Sequence, residues 1–299
     1  MPDLSIIIVT YNPGDDIDDC LNSIFENSSD LTIEVIVVDN DSHDGTPERI
    51  QRSFPEVHFI GNPTNDGFSV ANNIGLKVAA GRYILLLNPD VILRPTTLRQ
   101  MIDYLDAESG VGIVGPRVYT GTGAILLTAN DTYTPAGTLW QFFGIPYRIL
   151  RRTCLTAIAP VDVAWVQGAC LMLRREIYEQ IGGLDEGLFL FCEEPDFCER
   201  ALHAGWRTVY LPQAEITHYV SSTVTRYPLV KMRHHHISPL YYFRKRGRST
   251  SVRILKIGFI TELGMKWFLR AAQNVVKPNE FLQAKMQAYP IVIKEIWRY

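Results

Sequence analysis

The stretch LSIIIVTYNPGDDIDDCLNSIFENSSDLTIEVIVVDNDS (4–42) decides the fold. Two apolar, β-branched runs, Leu4–Val9 and Ile33–Val38, stop abruptly on polar residues, Thr10-Tyr11-Asn12 and Asp39-Asn40-Asp41-Ser42. The segment between them, near Asp15–Asn27, reads as a helix. Continuous apolar strands separated by a helix mark a βαβ unit, because a parallel strand covered on both faces has no polar alternate positions. The rhythm continues outward with a helix near Gly45–Ser53, a strand at Val57–Ile60, a helix from about Ser69 to Ala79 and a strand at Tyr83–Leu87. A helix near Pro95–Asp106 follows, with Leu98, Met101, Ile102 and Leu105 on one face. Strand-like segments recur at Val111–Val118, Val161–Val166, Ala169–Leu173 and Thr208–Leu211, with helices near Arg174–Ile181 and Pro195–Ala204. The Gly, Thr and aromatic stretch from Val118 to about Ala159 predicts loops and short strands, and the chain from about Ser238 onward predicts helix. The expectation is an α/β protein with a mostly parallel, Rossmann-like sheet flanked by helices.

The net charge of −3 hides an asymmetry. Residues 1–225 hold 14 Lys and Arg against 29 Asp and Glu, whereas residues 226–299 hold 15 against 3. Two domains are expected from this shift, 1–225 and a basic helical extension, 226–299. The extension interleaves its cations with Ile257, Phe259, Trp267, Phe268 and Trp297. That mixture suits an anionic membrane face or a lipid-linked substrate, and equally a helical appendage packed on an acidic domain. The five cysteines are scattered without a CxxC pair, which fits reduced thiols in a cytoplasmic setting. No basic leader precedes the first apolar run, so export is not expected. The uncharged Thr132–Tyr147 stretch is broken by Pro135, Gly137, Gly144 and Pro146 and is too interrupted to span a bilayer. The run His234-His235-His236 has no partner at metal-ligand spacing and is expected on the tail surface.

In an open parallel sheet, ligands bind at the carboxyl ends of the strands. Three polar strand ends stand out: Thr10-Tyr11-Asn12, Asp39-Asn40-Asp41-Ser42, and Asn88-Pro89-Asp90 after YILLL (83–87). Each alone could be turn chemistry. Together with their spacing, the segments VTYN (9–12), VVDNDSHDGT (37–46), NDGFSVANNIG (65–75), LLNPDV (86–91), WVQGACLMLRR (165–175), GGLDEGLFLFCEEPDFCERALHAGW (182–206) and His218 resemble the family 2 inverting glycosyltransferases of the GT-A fold. The resemblance covers roughly residues 4 to 220 and leaves the basic tail outside.

The resemblance implies a donor site for a nucleoside-diphosphate sugar. Thr10, Asn12 and Asp39 would hold the base and ribose, with Asp39 able to accept a pyrimidine imide N–H or, with Ser42, to cap a helix. Asn65, Gly67 and Asn72 would line the same pocket, and Trp165 and Gly168 would sit under the sugar. The third strand end corresponds to the family's Asp-x-Asp element, which holds Mg²⁺ or Mn²⁺ against the leaving diphosphate. Asn88 replaces the first carboxylate, so Asp90 alone keeps a charge, and His218 stands where the family can complete the metal site. The family's Glu-Asp-x-Asp element reads Glu193-Glu194-Pro195-Asp196, which assigns the general base to Glu194. Asp185 and Glu186, with Phe189 and Phe191 as an apolar wall, fall in the segment that contacts acceptor or donor sugar.

The combination of Asn-Pro-Asp, NDGFSVANN and Trp-x-x-Gly is similar to bacterial rhamnosyltransferases of cell-surface polysaccharide synthesis. It implies rhamnose from dTDP-rhamnose, or a sugar from a UDP donor, moved to a hydroxyl of a glycan or lipid-linked acceptor. The expected place is the cytoplasm or the inner face of the cell membrane, with peripheral membrane contact through the tail and no nucleic-acid partner. A dehydrogenase would need GxGxxG after the first strand, where Thr10-Tyr11-Asn12-Pro13-Gly14 stands instead. A nucleotidyltransferase would show an early Gly-rich basic loop, and the first hundred residues have none. The remaining alternative is a non-catalytic carbohydrate-binding relative, against which Asp90, Glu194 and Asp196 speak.

Overall fold

A computed structural model describes residues 1–143, 152–219, 227–276 and 280–299. The first half alternates as its sequence demands: β1 (Leu4–Thr10), α1 (Asp16–Glu26), β2 (Ile33–Asn40), α2 (Thr46–Ser53), β3 (His58–Asn62), α3 (Phe68–Val78) and β4 (Tyr83–Leu87). After the short β5 (Val91–Leu93) come α4 (Thr97–Ala107), β6 (Val111–Thr120) and β7 (Ala129–Asn130). Next are α5 (Pro135–Phe142), α6 (Arg152–Thr156), β8 (Val161–Val163), β9 (Trp165–Val166) and β10 (Cys170–Arg174). The chain continues with α7 (Arg175–Ile181), α8 (Glu193–His203), β11 (Arg207–His218), α9 (Pro228–Lys245), α10 (Ser249–Val276) and α11 (Glu280–Arg298).

The main sheet has the order β3-β2-β1-β4-β10-β6-β11-β5, with β8 on β11. Pairs β1–β2, β1–β4, β2–β3 and β6–β11 are parallel, so the carboxyl ends of β1, β2, β3 and β4 share one edge. Strand β10 runs antiparallel to β4, with Cys170 opposite Leu87, which brings the residues just before β10 to that same edge. The alternation of a pleated strand splits the core. Leu4, Ile6 and Ile8 pack with Leu21, Leu98 and Met101, whereas Ile7 packs with Ile36, Val38, Ala71 and Phe197.

The chain forms two compact units, Met1–Thr132 with Leu150–Glu186 and Glu193–Ser221, and Tyr133–Ile149 with Gly187–Cys192 and Ser222–Tyr299. The second unit has its own core, in which Phe142, Leu188, Leu240, Phe243, Phe259, Val292 and Ile296 are buried together.

Four local readings change. Strand β11 does not stop at Leu211 but continues to His218, because an irregularity between Leu211 and Glu215 absorbs Pro212-Gln213-Ala214 without ending the pairing with β6. Residues 135–142 are helical rather than loop: the Thr134 hydroxyl accepts from the Gly137 N–H at 3.1 Å and Pro135 supplies a first-turn residue that needs no donor. The tail helix begins at Pro228 rather than Ser238 for the same reason, a proline at its first turn. The histidine run is not tail surface. His236 is buried against Glu262, while the His234 and His235 rings lie 4.5 and 4.9 Å from those of Phe189 and Phe191. All five cysteines are buried thiols.

Candidate active site

The polar strand ends are built into one edge. Thr10 at the end of β1 donates its hydroxyl to Asp39 Oδ1 at 2.7 Å, and the Ser42 N–H donates to Asp39 Oδ2 at 2.9 Å. Asp39 is buried and thereby fixed, while each oxygen keeps a further lone pair. It does not cap the helix, since Gly45 occupies that position at φ 82°. Asn12, at φ 47°, ties the first end to the second: its N–H donates to Ser42 Oγ at 2.8 Å and its Oδ1 accepts from the His43 N–H at 2.7 Å.

Beyond β3, Asn65 Oδ1 accepts from the Gly67 N–H at 3.2 Å, and Asn40 donates to the Gly67 carbonyl at 3.1 Å. Gly67 takes φ 92°, a conformation that favours glycine, and α3 starts immediately after it. Asn72 is buried on α3 with its amide donating to the Phe68 carbonyl at 2.8 Å.

At the end of β4, Asn88 is partly buried and Asp90 is buried. His218, the last residue of β11, lies opposite Val91 of β5 and is carried to this edge by the full length of its strand. Its Nε2 stands 3.0 Å from Asp90 Oδ1, and its buried Nδ1 has no hydrogen-bond partner among the described residues. The pair offers one carboxylate and one imidazole lone pair. No group of three or more His, Cys, Asp or Glu side chains that could enclose a metal occurs among the described residues. The donor set therefore fits a cation that takes its remaining ligands from phosphate oxygens and water, the usual habit of Mg²⁺ and of similar Mn²⁺ sites.

The residues before β10 join this edge to the acidic helix. The Asn88 N–H donates to the Ala169 carbonyl at 3.0 Å, and the neighbouring Gly168 N–H donates to Glu194 Oε1 at 2.8 Å. Glu194 is partly buried at the first turn of α8. Burial raises its carboxyl above the ordinary range, and the Gly168 N–H opposes this by favouring the anion. Glu193 is pushed further up, by its own burial and then by the charge of Glu194, and its Oε2 has no hydrogen-bond partner among the described residues. Of the two acids, only Glu194 has its anion favoured by the Gly168 N–H. Asp196 is buried and bound to Arg200 Nε at 2.8 Å, and the same guanidinium reaches the Ile181 and Gly183 carbonyls at 2.9 and 2.7 Å. Its placement is that of a positioning residue.

Trp165 lies on β9, three residues before Gly168. Asp185 is partly buried, and Glu186, exposed, accepts from Asn73 Nδ2 at 3.0 Å. Asn73 is a residue that sequence reasoning missed: it also accepts from the Leu184 N–H at 2.8 Å and donates to the Leu184 carbonyl at 2.9 Å, which fixes the 183–186 turn onto α3. The only local signal was a second Asn beside Asn72. Phe189 and Phe191 belong to the second unit, where they pack on His234 and His235.

Residues 5–182 match the model of Glycosyl transferase family 2, and the chain belongs to that family. It is a glycosyltransferase. It is 27% identical over 81% of its length to 84% of an N-acetylglucosaminyl-diphospho-decaprenol L-rhamnosyltransferase from Mycobacterium tuberculosis. It is 25% identical over 72% of its length to 82% of a rhamnosyltransferase from Escherichia coli. Over 67% of the chain it is 31% identical to 62% of a low-salt glycan biosynthesis hexosyltransferase from Haloferax volcanii. The fold is that of a solved mannosyltransferase from Pyrobaculum calidifontis in complex with GDP-Man and Mn²⁺, at TM-score 0.58 and 19% identity, covering 98% of this chain and 86% of that one. These likenesses make the architecture a GT-A fold with C-terminal helices.

Proposed function

We propose that the chain moves rhamnose from dTDP-rhamnose, with inversion at the anomeric carbon, onto a hydroxyl of a glycan or lipid-linked acceptor in cell-surface polysaccharide synthesis. The observation that carries the mechanism is the link from Glu194 through Gly168 and Ala169 to Asn88: a carboxylate with a raised pKa, held as a base at the edge where Asp90 and His218 converge. The rhamnose reading is supported by the two relatives whose names carry that sugar. The lipid-linked acceptor is supported by the mycobacterial relative's name. Asp39 would read the imide N–H of thymine, and since uracil presents the same edge, a UDP-sugar is the donor to test beside it.

In the reaction, Glu194 accepts the proton of the acceptor hydroxyl as that oxygen bonds to the anomeric carbon. The bond from that carbon to the diphosphate breaks in the same displacement and its electrons leave with the diphosphate. Asp90 and His218 would hold a divalent cation, Mg²⁺ or Mn²⁺, which supplies charge neutralisation at the departing diphosphate. Thr10, Asn12, Asp39, Asn65, Gly67 and Asn72 would hold the nucleoside end, and Asn88, Trp165 and Gly168 the sugar end. Asp185 and Glu186, the latter held by Asn73, would meet the acceptor. Burial favours the neutral form of Glu193 beside the base, and Asp196 acts through Arg200 on the turn behind it. The reaction runs in the cytoplasm at the inner membrane face, where a lipid-linked acceptor presents its head.

The test is a nucleotide-sugar panel of dTDP-, UDP- and GDP-donors with and without Mn²⁺ or Mg²⁺, read by thermal shift and by nucleoside diphosphate release. One donor should stabilise the protein in a metal-dependent way. Glu194→Gln should keep that stabilisation while losing turnover by about 10²- to 10⁴-fold, the usual worth of a positioned general base. Full turnover in Glu194→Gln would remove Glu194 from the reaction.

A further inference from the structure

Helix α10 carries two apolar stripes. Val252, Leu255, Phe259 and Leu263 recur at three- and four-residue steps and pack in the core of the second unit with Phe142, Val292 and Ile296. Ile254, Ile257, Thr261, Met265 and Phe268 recur at the same steps on a different side of the helix. There Ile254, Ile257, Met265 and Phe268 are 50%, 70%, 54% and 69% exposed. Thr261 fits the stripe because its hydroxyl donates back to the Ile257 carbonyl at 2.9 Å. A helix that only covers a core shows water a polar face. This one shows water a second apolar face.

Beside that stripe runs a groove of 490 Å³ between α10 and α11, lined among others by Gly264, Trp267, Pro290, Lys294 and Trp297. Trp297 is 74% exposed. Cations stand at the groove: Lys294 lines it and Lys256 donates to the Trp297 carbonyl at 3.0 Å, while Arg253 and Arg298 adjoin Ile254 and Trp297 in the sequence. Glu262, the one acid in the sequence of α10, is buried against His236 and Lys266 and presents no charge outward.

We infer that the Ile254–Phe268 stripe and the adjoining tryptophan-lined groove lie in the interface of an anionic lipid bilayer. The apolar side chains enter the boundary between headgroups and acyl chains, the indoles sit at headgroup level, and the flanking cations meet lipid phosphates. Charge selects this occupant. A second copy of the chain docked through the same face about a two-fold axis would set the same cations against one another, whereas an anionic membrane neutralises them. No helix among the described residues is long and apolar enough to cross a membrane, so the contact lies along the surface. The inference goes beyond the transfer reaction and is independent of which sugar is moved.

The test uses the full chain and vesicles of phosphatidylcholine with about one-third phosphatidylglycerol, against phosphatidylcholine alone. Sedimentation should show binding to the anionic vesicles, at least about tenfold weaker binding to the neutral ones, and weakening with salt. Tryptophan emission should shift to the blue on binding, by less in Trp297→Phe. Ile257→Glu/Phe268→Glu, both exposed positions, should keep the wild-type Tm while its binding falls at least about tenfold. Equal binding of that variant and the wild type would overturn the inference, as would no vesicle binding by the wild type. A lipid-free dimer that Ile257→Glu/Phe268→Glu dissociates in light scattering would give the stripe to a second copy instead.

Discussion

At Gly168 an added Cβ would stand 3.0 Å from Glu194 Oε1 and 3.2 Å from its Cγ, so a side chain at residue 168 would press on the carboxylate that the Gly168 N–H holds. Gly168→Ala should therefore move the carboxylate rather than unfold the protein. We expect kcat to fall on the order of 10²-fold, the scale of a small displacement of a catalytic group, with donor KM little changed. Loss of activity through donor binding alone would show that Gly168 serves the nucleotide instead. With Glu194 as the proposed base, its raised pKa should place the acid limb of the kcat/KM profile above the ordinary glutamate value of about 4.3. Since the Gly168 N–H favours the anion, that limb should move to higher pH in Gly168→Ala. Glu193 gives a stability prediction. Its folded pKa lies well above its unfolded one, so the wild type binds a proton in the folded state that the unfolded chain releases as pH rises. Wild type and Glu193→Gln should be equally stable below the ordinary carboxylate range. The variant should become the more stable as pH rises through that range toward the folded pKa. A Tm difference independent of pH would mean that Glu193 is not held neutral.

At the scale of elements, α8 is braced at both ends of its acidic turn. Glu194 holds Gly168, and Asp196 holds Arg200, whose guanidinium in turn carries the Ile181 and Gly183 carbonyls. Arg200→Met leaves a buried carboxylate without its partner, and removal of one member of such a pair costs about 3–5 kcal/mol. Denaturant unfolding should show a loss near the lower end of that range, because Arg200 is partly exposed; a loss under about 0.5 kcal/mol, the scale of a surface change, would show that the pair does not brace the helix. The strands of the first half were legible because each is an apolar run that stops on a polar residue, a pattern that Leu4–Thr10 and Tyr83–Leu87 repeat. The end of β11 was not legible: Pro212-Gln213-Ala214-Glu215 has the composition of a turn, and the strand continues because pairing with β6 resumes at Glu215 and pairing with β5 begins at Ile216. The start of α5 was marked by Thr134-Pro135, a cap followed by a first-turn proline, inside a stretch whose glycines pointed to loops. The residues proposed for the donor and the base were picked out from strand ends and the acidic cluster because those signals are local. Asn73 could not, because which of two adjacent asparagines faces the 183–186 turn depends on the rotation of α3 against a segment over a hundred residues away.

At the scale of the whole molecule, the order of the strands does the assembling. Parallel β1, β2, β3 and β4 put their polar ends on one edge, and antiparallel β10 returns Gly168 and Ala169 to it, bringing Glu194 along. A chain of contacts this long in sequence makes the site depend on the complete sheet. Asp90→Asn should weaken metal-dependent donor stabilisation with little change in the Tm of the protein without ligand; an unchanged donor response to Mn²⁺ and Mg²⁺ would remove Asp90 from the metal site. The central claim is a single displacement with Glu194 as base, and the anomeric configuration of the product reports on it most directly. With dTDP-rhamnose, a divalent cation and a lipid-linked glycan acceptor, the one-bond C1–H1 coupling of the transferred sugar should show the configuration opposite to that of the donor. Retention of the donor's configuration would contradict the account.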